Sequence, residues 1–135
     1  MASADGRFTG ETLSQNSGAS FGADACGVTA HLMSVARAID GYKVPNGSIV
    51  DIDLHKSATE GEEGISALVS TLRTYFAMGG FGVHYNVLNV DILRAAKKSP
   101  EDYPNLQVRL CGWNVLFANL SEKEKDEFIR RAEWA

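Results

Sequence analysis

The chain has 135 residues, 44% of them hydrophobic and 22% charged, and carries a formal net charge of −4 at pH 7. That length suits one domain with a modest core, and the composition is that of a folded rather than a disordered chain. The acidic balance offers no basic stripe for phosphates, and no apolar run reaches the roughly 20 residues of a membrane span, so neither nucleic acid nor membrane is expected as a partner.

Residues 1–22 are rich in Gly, Ser, Ala and Thr and poor in bulky apolar side chains. They are expected to form a flexible or partner-docked N-terminal arm, with residues 23–135 as the folded domain. From Val28 the apolar spacing turns helical, with Leu32, Val35, Ala36 and Ile39 on one face. Pro45-Asn46-Gly47 signals a turn, and Ile49 to His55 alternates apolar with polar residues as a strand does. Ser57 to Gly64 reads as a polar loop. Ile65, Leu68, Val69, Leu72 and Phe76 then mark a helix closed by Gly79-Gly80.

Gly82 to Leu88 reads as a second strand and Asn89 to Lys98 as a short helix, with Asn89 as N-cap, Asp91 in the first turn and lysines in the last. A loop around Ser99-Pro100 and Pro104 leads into a third strand ending at Gly112. Ser121-x-x-Glu124 is a capping box for a last helix whose buried face is Phe128, Ile129 and Ala132. Its charge run from Glu122 to Arg131 is expected to be the wet face. The order is α-β-α-β-α-β-α, a mixed α/β class. Three strands make a poor stand-alone sheet, so a larger body is expected to supply the missing ones.

No metal site is expected. His31, His55 and His84 are too scattered, and Glu60, Glu62 and Glu63 are explained by a solvated approach to a helix N-terminus. His55 is expected to hold a loop in place. Cys26 and Cys111 stand far apart, in no metal-ligand spacing, and are expected to be free thiols in the cytoplasm. Gly112 lies between Leu106, Val108, Leu110 and Val115, Leu116, Phe117. By composition alone such a glycine marks a bulge, a bend or a close approach.

Its neighbours carry more. Pro104-x-Leu106-x-Val108-Arg109-x-x-Gly112-Trp113 follows Ser17-Gly18-Ala19-Ser20-x-Gly22-x-Asp24-x-x-Gly27-x-Thr29-Ala30. Between them come His55-x-Ser57-Ala58, Gly61-Glu62-x-Gly64, Leu72-Arg73-x-Tyr75-Phe76 and Gly79-Gly80-Phe81-x-Val83-x-Tyr85-Asn86-Val87-Leu88. In this order the blocks resemble the glycyl radical enzymes, the pyruvate formate-lyase-like family, from Gly6 to Glu133.

The resemblance implies the C-terminal portion of that family's α/β barrel with its glycine loop, completed by a larger partner chain, and makes residues 23–135 a glycine radical domain. It implies that Gly112 is the catalytic residue. Arg109 would anchor the loop through hydrogen bonds, Trp113 and Phe117 would seal it, Cys111 would pack beside it and Asn114 would support it. Glycine suits the role because a Cα without Cβ can flatten between two amides that delocalise an unpaired electron, and because it tolerates a tight loop. In the family a separate S-adenosylmethionine-dependent iron–sulfur activating enzyme installs the radical, and no cofactor is permanently bound.

The family also needs a thiyl cysteine on a distant loop, and neither Cys26 nor Cys111 occupies such a place. The chain is therefore expected to be inert alone and to dock onto a larger subunit that supplies the thiyl cysteine and substrate site. The reaction would be radical lyase, dehydratase, decarboxylase or acyl-transfer chemistry. Trp113 and the Ser17–Asp24 block tilt it towards dehydratases, decarboxylases and C–C lyases, although Val28 stands where those branches commonly have proline. The alternatives are a spare part that repairs an oxygen-cleaved enzyme, a cut piece of a longer enzyme, and a degenerate fragment acting only as a binding module.

Overall fold

The helical spacing of Leu32, Val35 and Ala36 produces helix α1 (Gly27–Ala38), which buries all three. Strand β1 (Ile49–His55), helix α2 (Gly61–Ala77), strand β2 (Gly82–Leu88), helix α3 (Val90–Lys98), strands β3 (Gln107–Leu110) and β4 (Trp113–Leu116) and helix α4 (Glu122–Glu133) follow. The computed structural model describes residues 2–4, 6–11, 13–110 and 112–133.

Strands β1 and β2 pair in parallel, from Ile49↔Gly82 to His55↔Leu88, with α2 as the crossover that parallel pairing requires. One face of β1 presents Val50, Ile52 and Leu54 to α1 and to Tyr75 of α2, which together make the first core. The alternation seen in the sequence is real, but the other face is not solvated: Asp51 and Asp53 are buried too. Parallel strands are covered on both sides, so here a polar layer replaces water.

The bend expected at Gly112 is a full reversal. Strand β3 turns back as β4, with antiparallel pairing from Gln107↔Leu116 to Leu110↔Trp113 and two residues between the strands. The described chain therefore has four strands in two separate two-stranded sheets, not three in one, and the order becomes α-β-α-β-α-β-β-α. A two-residue connection needs positive φ in the loop, which Gly112 provides at +87°. Val108 and Phe117 anchor the hairpin in a second core with Leu93 and Ala96 of α3 and Phe128 of α4.

Two other expectations change, those for the polar loop and for the charge run of the last helix. The polar loop is shorter than Ser57–Gly64, because a short 3-10 turn over Lys56–Thr59 runs almost directly into α2. The apolar residues that mark α2 lie largely in the open, with Ile65, Val69 and Phe76 exposed. The charge run of α4 is not simply a wet face: Lys125, Glu127 and Arg131 are buried. The caps form as read. Asn89 Oδ1 accepts from the Asp91 and Ile92 amides at 3.0 and 3.3 Å, and the Ser121 amide donates to Glu124 Oε2 at 2.9 Å.

The first 22 residues divide. Those described up to Ser14 are mostly exposed, whereas Gln15 is buried and the Ser17 amide donates to the Ile49 carbonyl at 3.2 Å. Ala19 and Gly22 are held further along by His31 and Glu127. The segment from Gln15 to Gly22 thus packs on the body of this same chain.

Candidate functional site

Gly112 sits at the tip of the β3–β4 hairpin. A Cβ built on it would meet no described atom within 4 Å beyond its two chain neighbours, so what demands glycine is the φ of +87°, not crowding by the rest of the fold. Arg109 and Asn114 face each other across the ladder, and Arg109 Nη1 donates to Asn114 Oδ1 at 3.4 Å. Trp113, next to the glycine, is 77% exposed, whereas Phe117 at the base of the hairpin is 1% exposed in the second core. The structure thus gathers Arg109, Gly112, Trp113 and Asn114 at one end of the hairpin and places Phe117 beneath it. Cys111 lies outside the described residues.

The three histidines act locally. His55 Nδ1 accepts from the Ser57 amide at 3.2 Å and caps the 3-10 turn. His31 Nε2 accepts from the Ala19 amide at 3.1 Å, and burial holds its pKa below the ordinary value. His84 Nδ1 lies 3.1 Å from Asp51 Oδ1. Among the described residues no group of three or more His, Cys, Asp or Glu side chains is arranged to hold a metal ion.

Sequence reasoning missed the polar layer between the two cores. Asp51 and Asp53 on β1 stand beside their register partners His84 and Asn86 on β2. Asn16 Nδ2 donates to the Asp51 carboxylate, and Asn86 Nδ2 donates to Asp53 Oδ1 at 2.7 Å. Above them Arg131 Nε reaches Glu127 Oε1 at 2.9 Å and Asp24 Oδ2 at 3.2 Å, and Arg130 pairs with the same two carboxylates. The available signal was two aspartates on a strand destined for parallel pairing, where neither face can be wet.

Carboxylates outnumber guanidinium groups in this layer, and Asp53 bears the consequence. Burial raises its pKa from 3.8 to about 6, against the Asn86 hydrogen bond and Arg131, which lower it. Glu127 goes the other way: burial would raise it, but Arg130 and Arg131 hold it below the usual carboxylate range. Between pH 4 and 6 the unfolded chain has lost the Asp53 proton while the folded chain keeps it, so this group's contribution to stability falls as pH rises. Asp53→Asn keeps the acceptor for Asn86 and removes the charge. It is expected to raise stability at pH 7.5 by about 1–3 kcal/mol, with the gain shrinking towards pH 4. Urea unfolding at both pH values checks this; a less stable variant at pH 7.5 would contradict it.

The family model described as Glycine radical matches residues 13–118, which include the whole hairpin. The chain therefore belongs to the glycine radical family. Over 135 residues it is 35% identical to the 4-hydroxyphenylacetate decarboxylase glycyl radical subunit of Clostridioides difficile, covering 99% of this chain and 15% of that protein. It is 37% identical over 133 residues to the isethionate sulfite-lyase of Oleidesulfovibrio alaskensis, covering 98% of this chain and 16% of the relative. Among solved structures, the glycerol-bound B12-independent glycerol dehydratase from Clostridium butyricum superimposes with a TM-score of 0.79 at 37% identity, over 95% of this chain and 16% of that one. The α/β fold is that of the C-terminal region of glycyl radical enzymes. The chain spans about 15% of the length of the curated relatives it matches.

Proposed function

We propose that this chain stores an organic radical on Gly112 and works docked against a larger glycyl radical enzyme subunit that supplies the thiyl cysteine and the substrate site. The observation that carries this reading is the hairpin tip: inside the matched family segment stands a glycine with φ +87°, and the space where its Cβ would lie is open apart from its own chain neighbours. A radical-SAM activating enzyme would present a 5′-deoxyadenosyl radical, which takes one hydrogen atom from Gly112 Cα. The products are 5′-deoxyadenosine and a Cα radical shared with the flanking amides.

Arg109 and Asn114 brace the two sides of the loop. Exposed Trp113 is read as a contact made with the larger subunit, which would cover the glycine and exclude water and dioxygen. The exposed Ile65, Val69 and Phe76 of α2 and the open edges of both sheets are read in the same way. Similarity to a decarboxylase, a sulfite-lyase and a dehydratase favours radical bond cleavage as the reaction class. Alone the chain would be inert, and its place would be the cytoplasm, under anaerobic conditions.

Dioxygen cleaves the backbone at a glycyl radical, which gives a direct test. Air admitted to the activated complex is expected to cut this chain at Gly112, as read by intact mass, and to leave the chain of an unactivated complex whole. A complex that turns over substrate while this chain stays intact in air would contradict the proposal.

A further inference from the structure

The glycine hairpin and the parallel sheet belong to separate ladders, yet one side chain joins them. Asn86 is 8% exposed, and its Nδ2 donates both to Asp53 Oδ1 at 2.7 Å and to the Arg109 carbonyl at 3.2 Å. An amide nitrogen has two hydrogens, so this fork uses its full donor capacity. Among the described residues it is the hydrogen bond that connects β1 and β2 to the hairpin.

The Arg109 carbonyl is free for it. The Phe117 amide donates to the Leu106 carbonyl at 2.8 Å, one step beyond the β3–β4 register. Antiparallel pairs alternate between bonded and non-bonded positions, so Val108↔Val115 and Leu110↔Trp113 are bonded pairs and Arg109↔Asn114 is not. At a non-bonded position the carbonyl points away from the partner strand, here towards β2. Asn86 therefore does for the hairpin what a main-chain rung would do, three residues before Gly112. Asp53, its register partner, fixes the amide from the other side.

On the reading of Gly112 as the radical carrier, we propose that Asn86 is a positioning residue: it holds the Arg109 carbonyl and so sets where the hairpin tip sits on the parallel sheet. Asn86→Leu removes both donors. The exchange Asp53→Asn with Asn86→Asp keeps an amide and a carboxylate side by side on the sheet, yet at pH 8 leaves no donor facing Arg109. Val50→Ala, in the first core, serves as a control that loses stability without touching the hairpin.

Both Asn86 variants are expected to speed amide exchange within residues 107–116 about tenfold beyond the control, as loss of one buried hydrogen bond would. In the activated complex they are expected to change the Cα-hydrogen splitting of the radical signal, which the control leaves alone. A wild-type chain that carries no radical overturns the Gly112 reading, and the positioning role with it. A wild type that carries one, with variants whose splitting and exchange match the control, overturns the role of Asn86 alone.

Discussion

Gly112→Ala is expected to abolish the radical and to leave the fold almost unchanged. At φ +87° an L side chain is strained by roughly 1–2 kcal/mol, because its Cβ crowds the chain's own carbonyl. Beyond the two flanking residues nothing described resists the substitution, since no such atom lies within 4 Å of the new methyl group. The same methyl opposes the flat geometry in which the Cα radical is shared between two amides. The two losses differ in kind: a small shift in the urea midpoint, and complete disappearance of the paramagnetic signal after activation. A variant that carries a full-strength signal would remove Gly112 from its role. A stability loss above about 3 kcal/mol would instead mean that the glycine is there for packing.

Arg131→Met should be the most destabilising single change in the described chain. The Arg131 side chain is 5% exposed and faces Asp24 and Glu127, which are 9% and 8% exposed. Its Nη1 donates to Gln15 Oε1 at 3.1 Å, and the guanidinium lies 5.5 Å from the Phe21 ring centroid. Methionine fills much of the volume but leaves two buried carboxylates with only Arg130, whose side chain is 27% exposed. Removing one partner of a buried ionic cluster costs about 3–5 kcal/mol. Glu127 is held below its ordinary pKa, so it contributes stability above pH 4.5 that is lost as pH falls. The deficit of the variant is therefore largest near neutrality and narrows in acid. Arg131 also pins residues 15–22, so protease cleavage near Gly22 should accelerate along with unfolding. A loss below about 1 kcal/mol at pH 7.5 would show the cluster to be screened like a surface pair.

The elements legible in the sequence were those with local causes. The bounds of β1 and β2, the Asn89 cap and the Ser121–Glu124 capping box depend on residues close along the chain, and they formed where expected. The hairpin was half legible: the apolar runs on either side of Gly112 were visible, but the reversal was read as a bend. One glycine between two apolar runs does not reveal whether the second run pairs back or continues onward.

The buried layer was illegible for a different reason. Glu127 and Arg131 look like the polar side of an amphipathic helix, and only their partners in the N-terminal segment, more than a hundred residues away, make them interior. Asn86 stood in a recognised block, but nothing local announces a side chain that bridges two ladders. The exposed apolar face of α2 was equally hidden, since periodicity reports that a face exists and not what covers it.

The most direct measurement is paramagnetic resonance on this chain in its activated complex, with its glycines deuterated at Cα. Expected are a doublet from the one remaining Cα hydrogen in unlabelled protein, collapse to a narrow single line on deuteration, and silence in Gly112→Ala. A signal unchanged by deuterated glycine, or an activated and catalytically competent complex with no signal from this chain, would contradict the assignment of the radical to Gly112.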